Sequence, residues 1–227
     1  MASTPINFSL QARRLNITFL DPEVLREVLP HLNRQEREQL LYLWIIEGIP
    51  YAFREVPMLY GSLRKWIAWK FDIPEKDVTL VGSARTGFSL ETFGRPFNPH
   101  SDLDLALVSE SWFYKLRDNF EAWRADFEHE KILPQSNYER TVWVKNFEIV
   151  PKNIMRGFIT AKLLANRKRY QSTQLMAGVM SELHRKLKQA EGAPSIREAS
   201  VRVYRDWESL VKQNNLNLWT ISKKLIT

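Results

Sequence analysis

The chain of 227 residues contains no cysteine. Disulfides, thiolate zinc centres and thiol nucleophiles are therefore excluded. Long apolar runs are also missing. The longest, "LLYLWII" at residues 40–46, is far too short to cross a bilayer. The opening "MASTPINFSL" has no basic stretch followed by an apolar one, so no secretory signal is expected. A soluble cytoplasmic protein with no membrane partner is the expectation. No internal repeat or low-complexity tract stands out. The four histidines, His31, His100, His129 and His184, are too scattered for a zinc site with local spacing. His100 stands just before an acidic pair and is expected to be solvated in a loop. No G-x-S-x-G occurs, so a hydrolase serine has no support. "GSARTGFS" at residues 82–89 nearly matches the G-x-x-x-x-G-K-[ST] loop, but Phe88 stands where lysine must reach the phosphates.

What is present describes a globular protein. Apolar residues make up 44% and charged residues 26%, with eight tryptophans and twelve phenylalanines to fill an interior. The net charge of +7 is divided unevenly. Residues 1–150 carry 18 Lys and Arg against 21 Asp and Glu, and residues 151–227 carry 15 against 5. Such a split suits a C-terminal part that meets a polyanion, or one with a merely solvated basic face.

The pattern of elements is helices, then strands alternating with helices, then helices. Asp21-Pro22 reads as a cap with proline at the first helical position. Asn33 with Glu36 reads as a capping box for a helix that Gly48 and Pro50 stop. Pro57 opens a helix with Leu59, Leu63, Trp66 and Ile67 on one apolar stripe. "VTLVG" at 78–82 reads as a buried strand, "SARTGFSL" as a helical turn, and "ETFGRPFNPH" as a loop. "DLDLALV" reads as a strand. A long amphipathic helix follows, with Ser111 as its cap. "RTVWVKNFEIV" at 140–150 reads as one more strand or a hairpin. After Pro151 the chain reads as helical to its end, with Val203, Trp207, Leu210 and Val211 on one stripe. The expected class is α+β: a small mixed β-sheet core at 78–151, an N-terminal helical region at 1–77, and a basic C-terminal helical region at 152–227.

The chemistry is concentrated in "VGSARTGFSLETFGRPFNPHSDLDLALVS" at residues 81–109. Alternate residues of a strand face opposite sides. Leu103, Leu105 and Leu107 can then enter a core while Asp102 and Asp104 point together the other way. Neighbouring like charges repel unless a cation lies between them. Magnesium (or manganese) suits, since it takes carboxylate oxygens and bridges them to phosphates. Gly82, lacking a Cβ, lets a phosphate approach the backbone. Ser83 adds a hydroxyl, a helix starting there would aim N–H groups at an anion, and Arg85 is a candidate phosphate contact. Together these residues describe a site for a nucleoside triphosphate.

On these residues, "VGS…SDLDLALV", the chain resembles the nucleotidyltransferase superfamily typified by DNA polymerase β. The wording "GSARTG…SDLDL" is similar to the bacterial cyclic-oligonucleotide synthases and minimal nucleotidyltransferases. The resemblance covers roughly residues 78–109 and extends weakly to 150. It implies a nucleotidyltransferase core and transfer of a nucleoside monophosphate from a triphosphate to an acceptor hydroxyl. It also implies a third metal-binding carboxylate on a later strand, for which Glu148 is chosen. The catalytic and metal set implied is thus Asp102, Asp104 and Glu148, with Gly82, Ser83 and Arg85 for the nucleotide. The 18 residues between Ser83 and Asp102 are more than the minimal enzymes carry. "NRKRY" at 166–170 and "HRKLK" at 184–188 would suit a polyanionic acceptor such as tRNA. A protein or nucleotide acceptor stays open, as does a role as a toxin or antiviral defence component. The rival is a catalytically inactive member that binds RNA or a partner protein through its basic C-terminal helices.

Overall fold

The computed structural model describes residue 9, residue 15 and residues 19–226. Most of the N-terminal stretch in which no secretory signal is expected lies outside the described residues. Helix α1 (Pro22–Val28) starts where the Asp21 carboxylate accepts from the N–H groups of Glu23 and Val24. Helix α2 (Arg34–Leu41) opens with the expected capping box, Asn33 and Glu36 each bonding the other's backbone. It widens into one looser turn at Tyr42–Ile46 and ends before Gly48. Helix α3 (Pro57–Phe71) follows the predicted stripe, burying Leu63 and Ile67.

A four-stranded mixed sheet then forms from β1 (Val78–Val81), β2 (Leu103–Val108), β3 (Phe158–Thr160) and β4 (Ala199–Tyr204). Its order is β1-β2-β4-β3. β2 and β4 run parallel in the centre, and both outer pairings are antiparallel. Between the strands lie α4 (Ser83–Thr86), α5 (Glu110–Glu128), α6 (Asn137–Met155) and α7 (Gln171–Gln189), and α8 (Trp207–Ile226) closes the chain. The α+β class, a small mixed sheet flanked by helices, is what the sequence led us to expect. Among the described residues, no helix is long and apolar enough to cross a membrane.

Alternation along the strands sorts side chains into two cores. Leu80, Leu103, Leu105, Leu107, Val201 and Val203 enter one, beneath α3, α5, α6 and α7. Val81, Ala106, Val108 and Tyr204 enter the other, with α1, α2 and α8. Asp104, Ser200 and Arg202 share the second face by the same period-two rule.

Three expectations are corrected. Residues 140–150 belong to helix α6, not to a strand. Their buried positions, Trp143, Asn146 and Val150, recur at helical spacing, and Ser136 caps the start by accepting from the Glu139 N–H. The C-terminal third is not helical throughout, since it supplies β3 and β4. Gly157, at φ 80°, ends α6 and lets Phe158 turn into the sheet. Val203 therefore lies on a strand, apart from the stripe that begins at Trp207. Ser109, not Ser111, caps α5.

Candidate functional site

β1 ends at Val81, directly opposite Asp104 of β2. Gly82 then turns the chain at φ 68° and ψ −160°, a region essentially reserved for glycine. A Cβ there would lie 3.1 Å from Asp104 Oδ2. The Gly82-Ser83 corner and the carboxylate are thus in near contact. Asp102 stands one step before β2, and both aspartates open into a cleft of about 680 Å³ with Gly82 and Ser83. Leu103 and Leu105, fully buried in the first core, hold the pair in place from behind.

The loop of 18 residues leaves β1 and β2 paired up to Val81 and Asp104. It is folded on itself by Ser89 N–H to Arg95 O at 2.8 Å and Phe97 N–H to Gly87 O at 2.8 Å. Phe88 is buried in the second core, 5.8 Å from the Trp44 ring. Glu91, Arg95 and His100 of this loop line the cleft, and His100 is exposed as expected. The opposite wall comes from β4 and its flank, with Arg197, Ser200 and Arg202, and from Lys162 after β3. α8 covers the remaining side with Asn214, Asn217 and Thr220.

Each aspartate has a partner. Arg197 donates through Nε and Nη2 to the two oxygens of Asp102, at 2.9 and 2.8 Å. That carboxylate raises the Arg197 pKa above its ordinary value. Ser200 Oγ donates to Asp104 Oδ1 at 2.5 Å, from the residue in register with Asp104 across the parallel pair.

Two sequence expectations fail here. Arg85 does not face the cleft. It is 3% exposed, and its guanidinium donates to Trp44 O and Gly48 O, each at 2.9 Å. Burial lowers its pKa, and its work is to tie α4 to the carbonyls that end the turn at residues 42–46. Glu148 lies on the exposed side of α6 and does not line the cleft. No group of three or more His, Cys, Asp or Glu side chains is placed to hold a metal ion among the described residues. The donors present are two hard carboxylates in one cleft. They fit one magnesium ion completed by phosphate oxygens and water. They do not fit a pair of ions bridged by a third carboxylate.

The residues missed from sequence are Lys162, Arg197, Ser200 and Arg202. The signal for β4 was present in "ASVRVY", where valines alternate with Ser200 and Arg202. The lysines and arginines of the two basic stretches do not line the cleft. Arg167 pairs with Glu139 at 2.6 Å, Arg169 with Asp126 at 3.0 Å, and Lys186 with Glu182 at 3.9 Å. They sit at or beside α7, which packs on the first core, across the sheet from the aspartates. A second cavity of about 440 Å³ adjoins the cleft, sharing Lys162 and Ser200 and lined by Met176, Met180 and His184 of α7. Comparison of the chain with protein-family models, curated proteins and solved structures finds no match.

Proposed function

We propose that this protein is a magnesium-dependent nucleotidyltransferase, moving a nucleoside monophosphate from a nucleoside triphosphate to an acceptor hydroxyl in the cytoplasm. One observation carries this reading. The Gly82-Ser83 corner, Asp102 and Asp104 meet in one cleft whose other wall is cationic. Two carboxylates alone would repel a triphosphate, and a cationic wall alone would need no carboxylates. A metal–triphosphate complex uses both.

Magnesium held by Asp102, Asp104 and phosphate oxygens would supply charge neutralisation at the phosphates. Gly82 leaves room for the Asp104 carboxylate against the backbone, and Ser83 offers a hydroxyl donor. Arg202 adds fixed positive charge inside a partly enclosed cleft, where it acts more strongly than in water. The acceptor oxygen bonds to the α-phosphorus as the bond to the bridging oxygen breaks. Pyrophosphate leaves with that electron pair, and the acceptor proton passes to solvent. Positioning and charge neutralisation account for most of the acceleration in such a transfer. The adjoining cavity is of nucleoside size, so it suits a small nucleotide acceptor or the terminal nucleoside of an RNA such as tRNA.

The test is to incubate the protein with magnesium or manganese and each α-labelled nucleoside triphosphate, with and without bulk tRNA. Label should move into a small product or RNA, and the Asp102→Ala/Asp104→Ala variant should move none. Transfer that persists in the variant contradicts the assignment.

A second reading rests on a specific observation. The residue facing Asp104 across β4 is Ser200, not a third carboxylate. A protein that binds the metal–nucleotide complex, or RNA through its basic surface, without turnover would fit that geometry. Metal-dependent nucleotide binding with no label transfer to any acceptor would favour it.

A further inference from the structure

Arg197 is placed to do more than line the wall. Its guanidinium occupies both oxygens of Asp102 in a two-pronged contact. The two partners are unequally shielded. The Asp102 side chain is 17% exposed and that of Arg197 is 64% exposed. The cation thus lies on the solvent side of a carboxylate that the sheet holds still.

The backbone around Arg197 is pinned. Its N–H donates to Ser101 O at 2.9 Å, and Leu103 N–H donates to Glu198 O at 2.9 Å. Only the side chain is free to swing. Its neighbour Glu198 is paired with Lys162 at 3.2 Å, so Asp102 is the carboxylate that Arg197 covers. An ion pair with so exposed a partner adds little to the stability of a fold. Its consequence is at the site, where a divalent ion on Asp102 would meet a guanidinium already there.

We propose that Arg197 is a built-in counter-cation. It neutralises Asp102 in the empty cleft, leaves when a divalent ion arrives with a triphosphate, and turns onto the phosphate oxygens. Metal alone must displace the guanidinium without compensation and so binds weakly. Metal with nucleotide brings the anion that receives it, and the two bind cooperatively. The inference rests on Asp102 being a metal ligand, as the proposed function has it.

Two titrations of the full chain test it, one with manganese alone followed by electron paramagnetic resonance, one with manganese–ATP followed by calorimetry. Arg197→Ala should bind manganese alone roughly tenfold more tightly than the native protein, a typical coupling between sites. It should bind manganese–ATP roughly tenfold more weakly, since a charged hydrogen bond to phosphate is lost. Arg197→Lys, which keeps the charge without the fork, should fall between, and it serves if the alanine variant melts early. Manganese affinity that is unchanged or reduced in both variants overturns the proposal and leaves Arg197 a clamp between β2 and β4. The manganese–ATP titration on Asp102→Asn separates the two ideas. If that variant binds manganese–ATP as the native protein does, the metal role of Asp102 falls, and the inference falls with it. If it binds less while the Arg197 variants are unaltered, only the inference falls.

Discussion

Gly82 is where backbone and chemistry meet most closely. Its φ of 68° with ψ of −160° strains any other residue, and a Cβ would lie 3.1 Å from Asp104 Oδ2. Gly82→Ala should therefore destabilise the protein by about 1–3 kcal/mol in urea unfolding. It should also weaken metal-dependent nucleotide binding, because the Asp104 carboxylate must move. Unaltered binding would show that the corner and the carboxylate are not one site. That Gly82 and Ser83 follow one strand and Asp102 and Asp104 open another was legible in the sequence, whereas their meeting in one cleft depends on the β1–β2 pairing. Where Arg85 points was not legible. Its direction is decided by carbonyls at Trp44 and Gly48, about forty residues earlier in the chain. Nothing local distinguishes a guanidinium that reaches a phosphate from one that caps a distant turn.

Among the elements, the two errors have opposite causes. "RTVWVKNFEIV" is rich in valine and aromatics, which favour strands on propensity, yet its burial follows the helical period through Trp143, Asn146 and Val150. β4 was hidden for the opposite reason, lying between two helices as a short alternating run. These two misreadings moved the expected third carboxylate to Glu148 and concealed Ser200, which occupies the position beside Asp104. Helix α8 covers the cleft and depends on its first turn. Asp206 accepts there from the Ser209 N–H at 2.7 Å and pairs with Arg205 at 2.8 Å. Burial pushes the Asp206 carboxyl up, but the Arg205 guanidinium and the Ser209 N–H outweigh it and hold the pKa below its ordinary 3.8. A lowered value contributes stability above the unfolded pKa and loses it as the pH falls through the folded one. Asp206→Ala should cost about 1 kcal/mol at neutral pH. The difference from the native protein should shrink as the pH drops below 3.8, measured by urea unfolding across that range. A gap that stays constant into acid would mean that the ionised carboxylate does not anchor α8.

For the molecule as a whole, the uneven charge noted in the sequence has a partial counterpart in space. Four cationic residues of the cleft wall, Lys162, Arg197, Arg202 and Lys224, come from the basic C-terminal third, while Asp102 and Asp104 come from the more acidic part. The lysines and arginines of residues 166–170 and 184–188 do not line the cleft, and three of these six, Arg167, Arg169 and Lys186, are in ion pairs. The net charge suggested a polyanionic ligand, but it could not say which lysines and arginines would line the cleft, because the sheet order decides that. β2 pairs with β4 in the centre, so the aspartates face residues nearly a hundred positions later in the chain.

The most direct measurement is calorimetric titration of the full chain with each nucleoside triphosphate, with magnesium present and with magnesium removed by chelation, on the native protein and on Asp104→Ala. Binding of at least one triphosphate should require the metal and be lost in the variant, with both proteins melting cooperatively. Binding that is equally strong without magnesium, or that survives the loss of the Asp104 carboxylate, would contradict the proposed function.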